Sequence, residues 1–275
     1  DLSLSVTTTT LPFLPTGGDV SGWVDLARGF SGGNEAVAIP LVYFTLPSVS
    51  TVSVKSSGAD VVPCGFADFP CESVHFGLSR ADPSNRVLTI SGNVSLSEAQ
   101  TFSGSGSVTM NGNSDSDIVC VVGDSGTANG FVASSAAVSL GYLTLSLPSA
   151  IGTRPTLFEC TGNTLALSGC WIVESESGSG VEYCIATVAG SGKVEFTSVT
   201  ISDVSFGSSC LVELKEPFAA SCSLAFCEWS GISSSIANKG LIAAGKGTIL
   251  TVTECDFANC DVPTGCVVSA SEARK

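Results

Sequence analysis

Twelve cysteines, one histidine and a thin scatter of acids are the residues of this chain best suited to chemistry, and their spacing limits what that chemistry is. The cysteines stand at 64, 71, 120, 160, 170, 184, 210, 222, 227, 255, 260 and 266. A zinc site needs four ligands around one ion and usually shows Cys-x-x-Cys pairs with histidine. Here the closest cysteines are separated by four or five residues, and His75 stands alone in Ser73-Val74-His75-Phe76. Disulfides, or thiols filling apolar corners, account for the cysteines better than a metal does. No metal or other cofactor is expected.

Nucleophilic catalysis by Ser or Cys requires a neighbouring base, and a single histidine leaves almost no choice. Glycosidase chemistry requires two carboxylates about 5 to 10 Å apart. Glu159, Glu182, Glu195 and Glu213 are read as lying at unlike positions, so no such pair is expected. Asn113, Asp115 and Asp117, in Asn111-Gly112-Asn113-Ser114-Asp115-Ser116-Asp117, offer alternate oxygen ligands of the kind calcium uses. The Gly and the distant Glu of an EF-hand loop are missing, and a solvated corner rich in turn-forming residues explains the same segment. Asn93 opens an Asn-x-Ser sequon with Ser95 and is a candidate N-glycosylation site.

The elements that would position these residues announce themselves as a repeat. One family of alternating triplets reads Val108-Thr109-Met110, Val138-Ser139-Leu140, Leu165-Ala166-Leu167, Val194-Glu195-Phe196, Leu224-Ala225-Phe226 and Leu250-Thr251-Val252, with starts 30, 27, 29, 30 and 26 residues apart. Three members continue after two residues with a second pair: Cys170-Trp171-Ile172, Val199-Thr200-Ile201 and Cys255-Asp256-Phe257. The copy at Leu224 keeps this register only in part, with Trp229 and then Gly231 at the two positions. A second family reads Ile185-Ala186-Thr187, Leu211-Val212-Glu213, Leu241-Ile242-Ala243 and Val267-Val268-Ser269.

Alternation with period two buries one face of each segment. Connecting segments rich in Gly and Ser, without helical periodicity, exclude βαβ units. The expected fold is therefore an all-β, right-handed parallel β-helix whose coils of about 26–30 residues rise about 4.8 Å each, from the inter-strand spacing. On that fold Cys184 and Cys210 precede equivalent strands of adjacent coils and are candidates for a disulfide. Cys64–Cys71 and Cys260–Cys266 are candidates for closing short loops.

Residues 1–85, with prolines around Leu11 to Pro15 and Ile39 to Pro47, read as an amino-terminal cap and irregular first coils. Residues 86–270 carry the regular coils and 271–275 form a short tail, in one continuous domain. The repeat reaches Ser269 with no legible closing cap, so the last coil is expected to stack on something or the chain to be a fragment. No basic segment followed by an apolar run opens the sequence, so a signal peptide is expected to be absent or already removed.

The chain has 275 residues with a formal charge of −14, which opposes nucleic acid and anionic lipid as partners. The longest apolar stretch, Ala36 to Phe44, is interrupted by Pro40 and is far short of the about 20 residues of a spanning helix. The even cysteine count points to an oxidising compartment.

The pattern Leu-x-[Leu/Phe/Val]-x-x-[Cys/Val]-x-[Phe/Ile], with cysteine at corners as in Thr253-Glu254-Cys255-Asp256-Phe257-Ala258-Asn259-Cys260, resembles the Cys-containing right-handed parallel β-helix repeats of protist surface proteins. It is distantly similar to chlamydial polymorphic outer-membrane proteins. It departs from the latter in having Phe257-Ala258-Asn259, one residue short of Phe-x-x-Asn, and no Gly-Gly-Ala. Together these readings lead to the expectation of a non-catalytic extracellular or cell-surface structural or adhesive protein, able to assemble end to end into filaments or a coat. Its expected partners are copies of itself or surface, matrix and glycan contacts. A polysaccharide lyase or glycosidase on the same fold is the alternative.

Overall fold

A short strand with one apolar face has nowhere to bury that face alone, and in this chain each coil buries it against the next. The computed structural model describes residues 23–27, 36–40, 49–61, 64–96, 100–102, 105–112, 118–121, 131–133, 136–147, 156–174, 184–206, 210–215, 219–234, 240–263 and 267–270. These form a parallel β-solenoid of three sheets with eight, seven and seven strands.

Each coil contributes one strand to each sheet in turn. Over four successive coils the first sheet takes Thr164–Ser168, Lys193–Thr197, Ser221–Ala225 and Ile249–Thr253. The second takes Trp171–Glu174, Thr200–Ser202, Glu228–Ser230 and Asp256–Ala258. The third takes Cys184–Val188, Val212–Leu214, Ile242–Ala244 and Val268–Ala270.

Parallel pairing stacks like on like. One rank of the first sheet runs Val52, Leu88, Met110, Leu140, Leu167, Phe196, Leu224 and Val252. In the second sheet Val94, Val119, Leu145, Ile172, Ile201, Trp229 and Phe257 form the matching rank. These ranks meet in one continuous apolar core.

The register corrects the reading of the fifth copy. Val194-Glu195-Phe196 pairs with Cys222-Ser223-Leu224, and that triplet pairs with Leu250-Thr251-Val252, a step of 28 residues each time. Leu224 is thus the second inward residue rather than the first, and Phe226 lies outside at 53% exposure with φ +55°. The continuation shifts with it: Cys227 and Trp229, not Trp229 and Gly231, fill the two inward positions.

The turns explain the coil shape. Between the first and second sheets the chain bends through one left-handed residue per coil: Tyr142, Gly169, Ser198, Phe226 and Glu254, all with φ between +51° and +61°. After the second sheet the same device recurs at Asp203, Gly231 and Asn259. Gly231 is required on a second ground, since a Cβ there would lie 2.5 Å from Asp203 Oδ1 in the coil below.

Toward the amino terminus Val52–Lys55 joins the first sheet through Leu88 and Ile90. A helix, Val74–Arg80, packs beside it; no helical periodicity in the sequence announces this element. Ser73 caps it by accepting from the Phe76 N–H at 3.2 Å, and Asp60 Oδ1 accepts from the N–H groups of Glu72 and Ser73. A Cβ on Gly77 would come within 2.6 Å of Val54 Cγ2, so only glycine lets the helix approach this closely. Trp23–Ala27 and Ala36–Pro40 form a separate antiparallel pair.

Candidate functional site

The predicted site residues disperse. Asn113, Asp115 and Asp117 lie outside the described residues, as do Glu182 and Cys266. His75 is exposed on the helix that links Val52–Lys55 to Asn85–Ser91 in the first sheet. Asn93 is exposed at the start of Asn93–Leu96, the terminal strand of the second sheet. Among the described residues no group of three or more His, Cys, Asp or Glu side chains is arranged to hold a metal ion, and no helix is long and apolar enough to cross a membrane.

The cysteine expectations divide. Cys64 and Cys71 are joined, with Cα atoms 4.9 Å apart. Cys184 and Cys210 do fall in register, because Ala186 pairs with Val212, but both remain buried thiols. The sulfur of Cys184 is turned toward the carbonyls of Ala186 and Leu211 and toward Thr187 Oγ1, each at 3.6 Å. Cys260 is a free thiol that donates to the carbonyls of Ala258 at 3.4 Å and Trp229 at 3.8 Å, and its expected partner Cys266 lies outside the described residues.

The acids need a correction. Glu159, Thr187 and Glu213 occupy one rank of the third sheet, in consecutive coils. Two inter-strand steps put the glutamate Cα atoms roughly 10 Å apart. Lys215 reaches Glu213 at 3.9 Å. Glu195 lies in the first sheet, where Lys193 pairs with it at 2.6 Å.

Two further groupings escaped the sequence reading. The first is a knot of thiols around the corner of the last two coils: Cys222, Cys227 and Cys255. Burial pushes the Cys222 thiol up to about 12, with the neighbouring sulfurs of Cys227 and Cys255 adding to it. Burial also holds Cys227 at about 11, the backbone of Val199 opposing and Cys255 reinforcing the rise. Cys222 and Cys227 stay protonated at neutral pH and serve the core as small apolar groups.

The second is the last coil among the described residues. Val252 is 41% exposed and Val268 38%, whereas Leu224 and Ile242, their partners one coil earlier, are wholly buried. Ile249 and Val267 are exposed beside them. The strands Ile249–Thr253, Asp256–Ala258 and Val268–Ala270 are terminal in all three sheets at once. An inward-facing apolar rank and three sheet edges are thus presented together.

No protein-family model, curated protein or solved structure matches the chain.

Proposed function

We propose that this protein is a non-catalytic structural or adhesive β-solenoid of the cell surface or extracellular space that stacks end to end with copies of itself. The observation that carries this reading is the regular stack of three parallel sheets with eight, seven and seven strands, a scaffold that a further coil extends in register. In the last described coil Val252 and Val268 expose apolar surface that Leu224 and Ile242 hide one coil earlier, surface worth about 25 cal/mol per Å² when covered. A coil added there, from this chain or from a second copy, extends all three sheets and covers it.

The setting rests on the Cys64–Cys71 disulfide, which suits an oxidising compartment, and on the exposed Asn93 of the sequon. Exposed acids Glu254, Asp256 and Asp261 surround the same coil, so association of two copies there strengthens as salt screens them. Light scattering coupled to size-exclusion chromatography tests the proposal. A mass that rises with concentration and with salt, and that returns to the monomer in Val252→Asp, supports it. A monomer under every condition defeats it.

The enzyme reading keeps one specific observation, the Glu159–Thr187–Glu213 rank. Its Cα spacing is compatible with two carboxyl groups flanking a water and a glycosidic bond. Cleavage of neutral or acidic polysaccharides that is lost in both Glu159→Gln and Glu213→Gln would establish it. Activity unchanged in both variants would remove it.

A further inference from the structure

The corner where the first sheet turns into the second holds a rank of inward residues: Leu143, Cys170, Val199, Cys227 and Cys255. Each precedes the paired row Thr144, Trp171, Thr200, Glu228 and Asp256 by one residue. The backbone repeats around it. The N–H of Trp171 donates to Leu143 O, Thr200 to Cys170 O, Glu228 to Val199 O and Asp256 to Cys227 O, at 2.8–3.1 Å. Cys170 therefore has Leu143 and Val199 as its rank neighbours. Cys227 and Cys255 have each other.

We propose that Cys227 and Cys255 form a disulfide under oxidising conditions that clips the last two coils together. One inter-strand step sets their Cα atoms about 4.8 Å apart, inside the range a disulfide spans. Their side chains run in the same direction, since each sulfur donates to the carbonyl two residues back: Cys227 to Ala225 O at 3.4 Å and Cys255 to Thr253 O at 3.3 Å. The Cys255 sulfur lies close enough to Cys227 to raise its thiol.

Access differs between the partners and orders the chemistry. Cys255 is partly exposed at the open end, while Cys227 is wholly buried. With a small disulfide such as oxidised glutathione as the oxidant, the Cys255 thiolate attacks one oxidant sulfur and displaces the first glutathione thiolate. The Cys227 thiolate then attacks the Cys255 sulfur and displaces the second. The two protons leave with the two glutathione thiols, and the two electrons lost by the cysteine pair reside on them. Cys222 lies against both sulfurs from the first sheet, yet it is fully buried and faces Leu250 in its own rank. It remains a thiol.

The clip bears on the coil that the proposed assembly uses, but it does not depend on assembly. The intact reduced chain is incubated with oxidised glutathione under native conditions, quenched in acid, alkylated after unfolding, digested and read by mass spectrometry. The expected result is a cross-linked peptide joining Cys227 to Cys255, loss of the alkylation adducts at these two positions relative to the reduced control, and alkylated Cys170 in the same molecules. In Cys255→Ser, Cys227 is expected to be fully alkylated. Cys227 and Cys255 both alkylated in the oxidised wild type, or either one joined to Cys222, would overturn the proposal. Neither result concerns the oligomeric state, so failure here and failure of the assembly proposal are read separately.

Discussion

Replacing Leu224 and Phe226 in turn separates the observed register from the one that plain alternation suggests. Leu224 is wholly buried between Phe196 and Val252, so Leu224→Ala removes core atoms from the middle of a stack and costs about 2–5 kcal/mol. Phe226 is 53% exposed and occupies the left-handed corner at φ +55°. Truncating a half-exposed ring costs less, about 1–2 kcal/mol. The sharper prediction concerns sign. A residue with a Cβ gives up about 1–2 kcal/mol in the left-handed region, whereas glycine loses about 0.5–1 kcal/mol of chain entropy relative to alanine. Phe226→Gly should therefore be up to about 1 kcal/mol more stable than Phe226→Ala, reversing the usual order, while Leu224→Gly should be less stable than Leu224→Ala. Urea unfolding followed by far-ultraviolet circular dichroism gives all four values. A Phe226→Ala loss of about 3–5 kcal/mol, with glycine worse still, would mean that Phe226 points inward and would refute the register.

Trp229 is buried with its indole N–H lacking a hydrogen-bond partner, while its ring meets Phe257 edge-on at 5.2 Å. Trp229→Phe removes an orphan donor costing about 1–3 kcal/mol, so thermal unfolding should show a net change within about 1.5 kcal/mol, against about 3–5 for Trp229→Ala. The Cys64–Cys71 bridge closes a short loop across seven positions, and Cys71→Ser should cost about 2–3 kcal/mol from the loop-entropy relation, read as a lowered melting temperature in the same buffer. The Cys222 thiol is raised from 9.0 to about 12. A raised thiol stabilises the fold fully below pH 9 and loses that contribution as pH climbs toward 12, by about 1.4 kcal/mol per unit. Reduced protein should lose stability over that window in denaturant titrations, and Cys222→Ala should flatten the slope.

The repeat was legible because period-two alternation and coil length survive in the sequence. The triplets beginning at Ile185, Leu211, Leu241 and Val267 fall in the register read for them. The error at Leu224 has a physical cause. Cys222 behaves as a small apolar core residue, yet a triplet built from Leu224 and Phe226 also alternates, and nothing local shows that Phe226 sits in a left-handed corner. Glu159 stayed hidden because Leu157 and Phe158 are both buried, which breaks the alternation of its strand and conceals its alignment with Thr187 and Glu213. The Cys184–Cys210 expectation placed both cysteines at matching positions of adjacent coils because rank follows from spacing, and both are buried thiols there. The helix Val74–Arg80 is seven residues long, too short for its periodicity to stand out.

Electron microscopy of the purified chain in negative stain, at high and low salt, tests the assembly claim most directly. Rods joined at their ends at high salt, reverting to single short rods in Val252→Asp, are the predicted result. Single rods of one length in every condition, identical for wild type and variant, would contradict it.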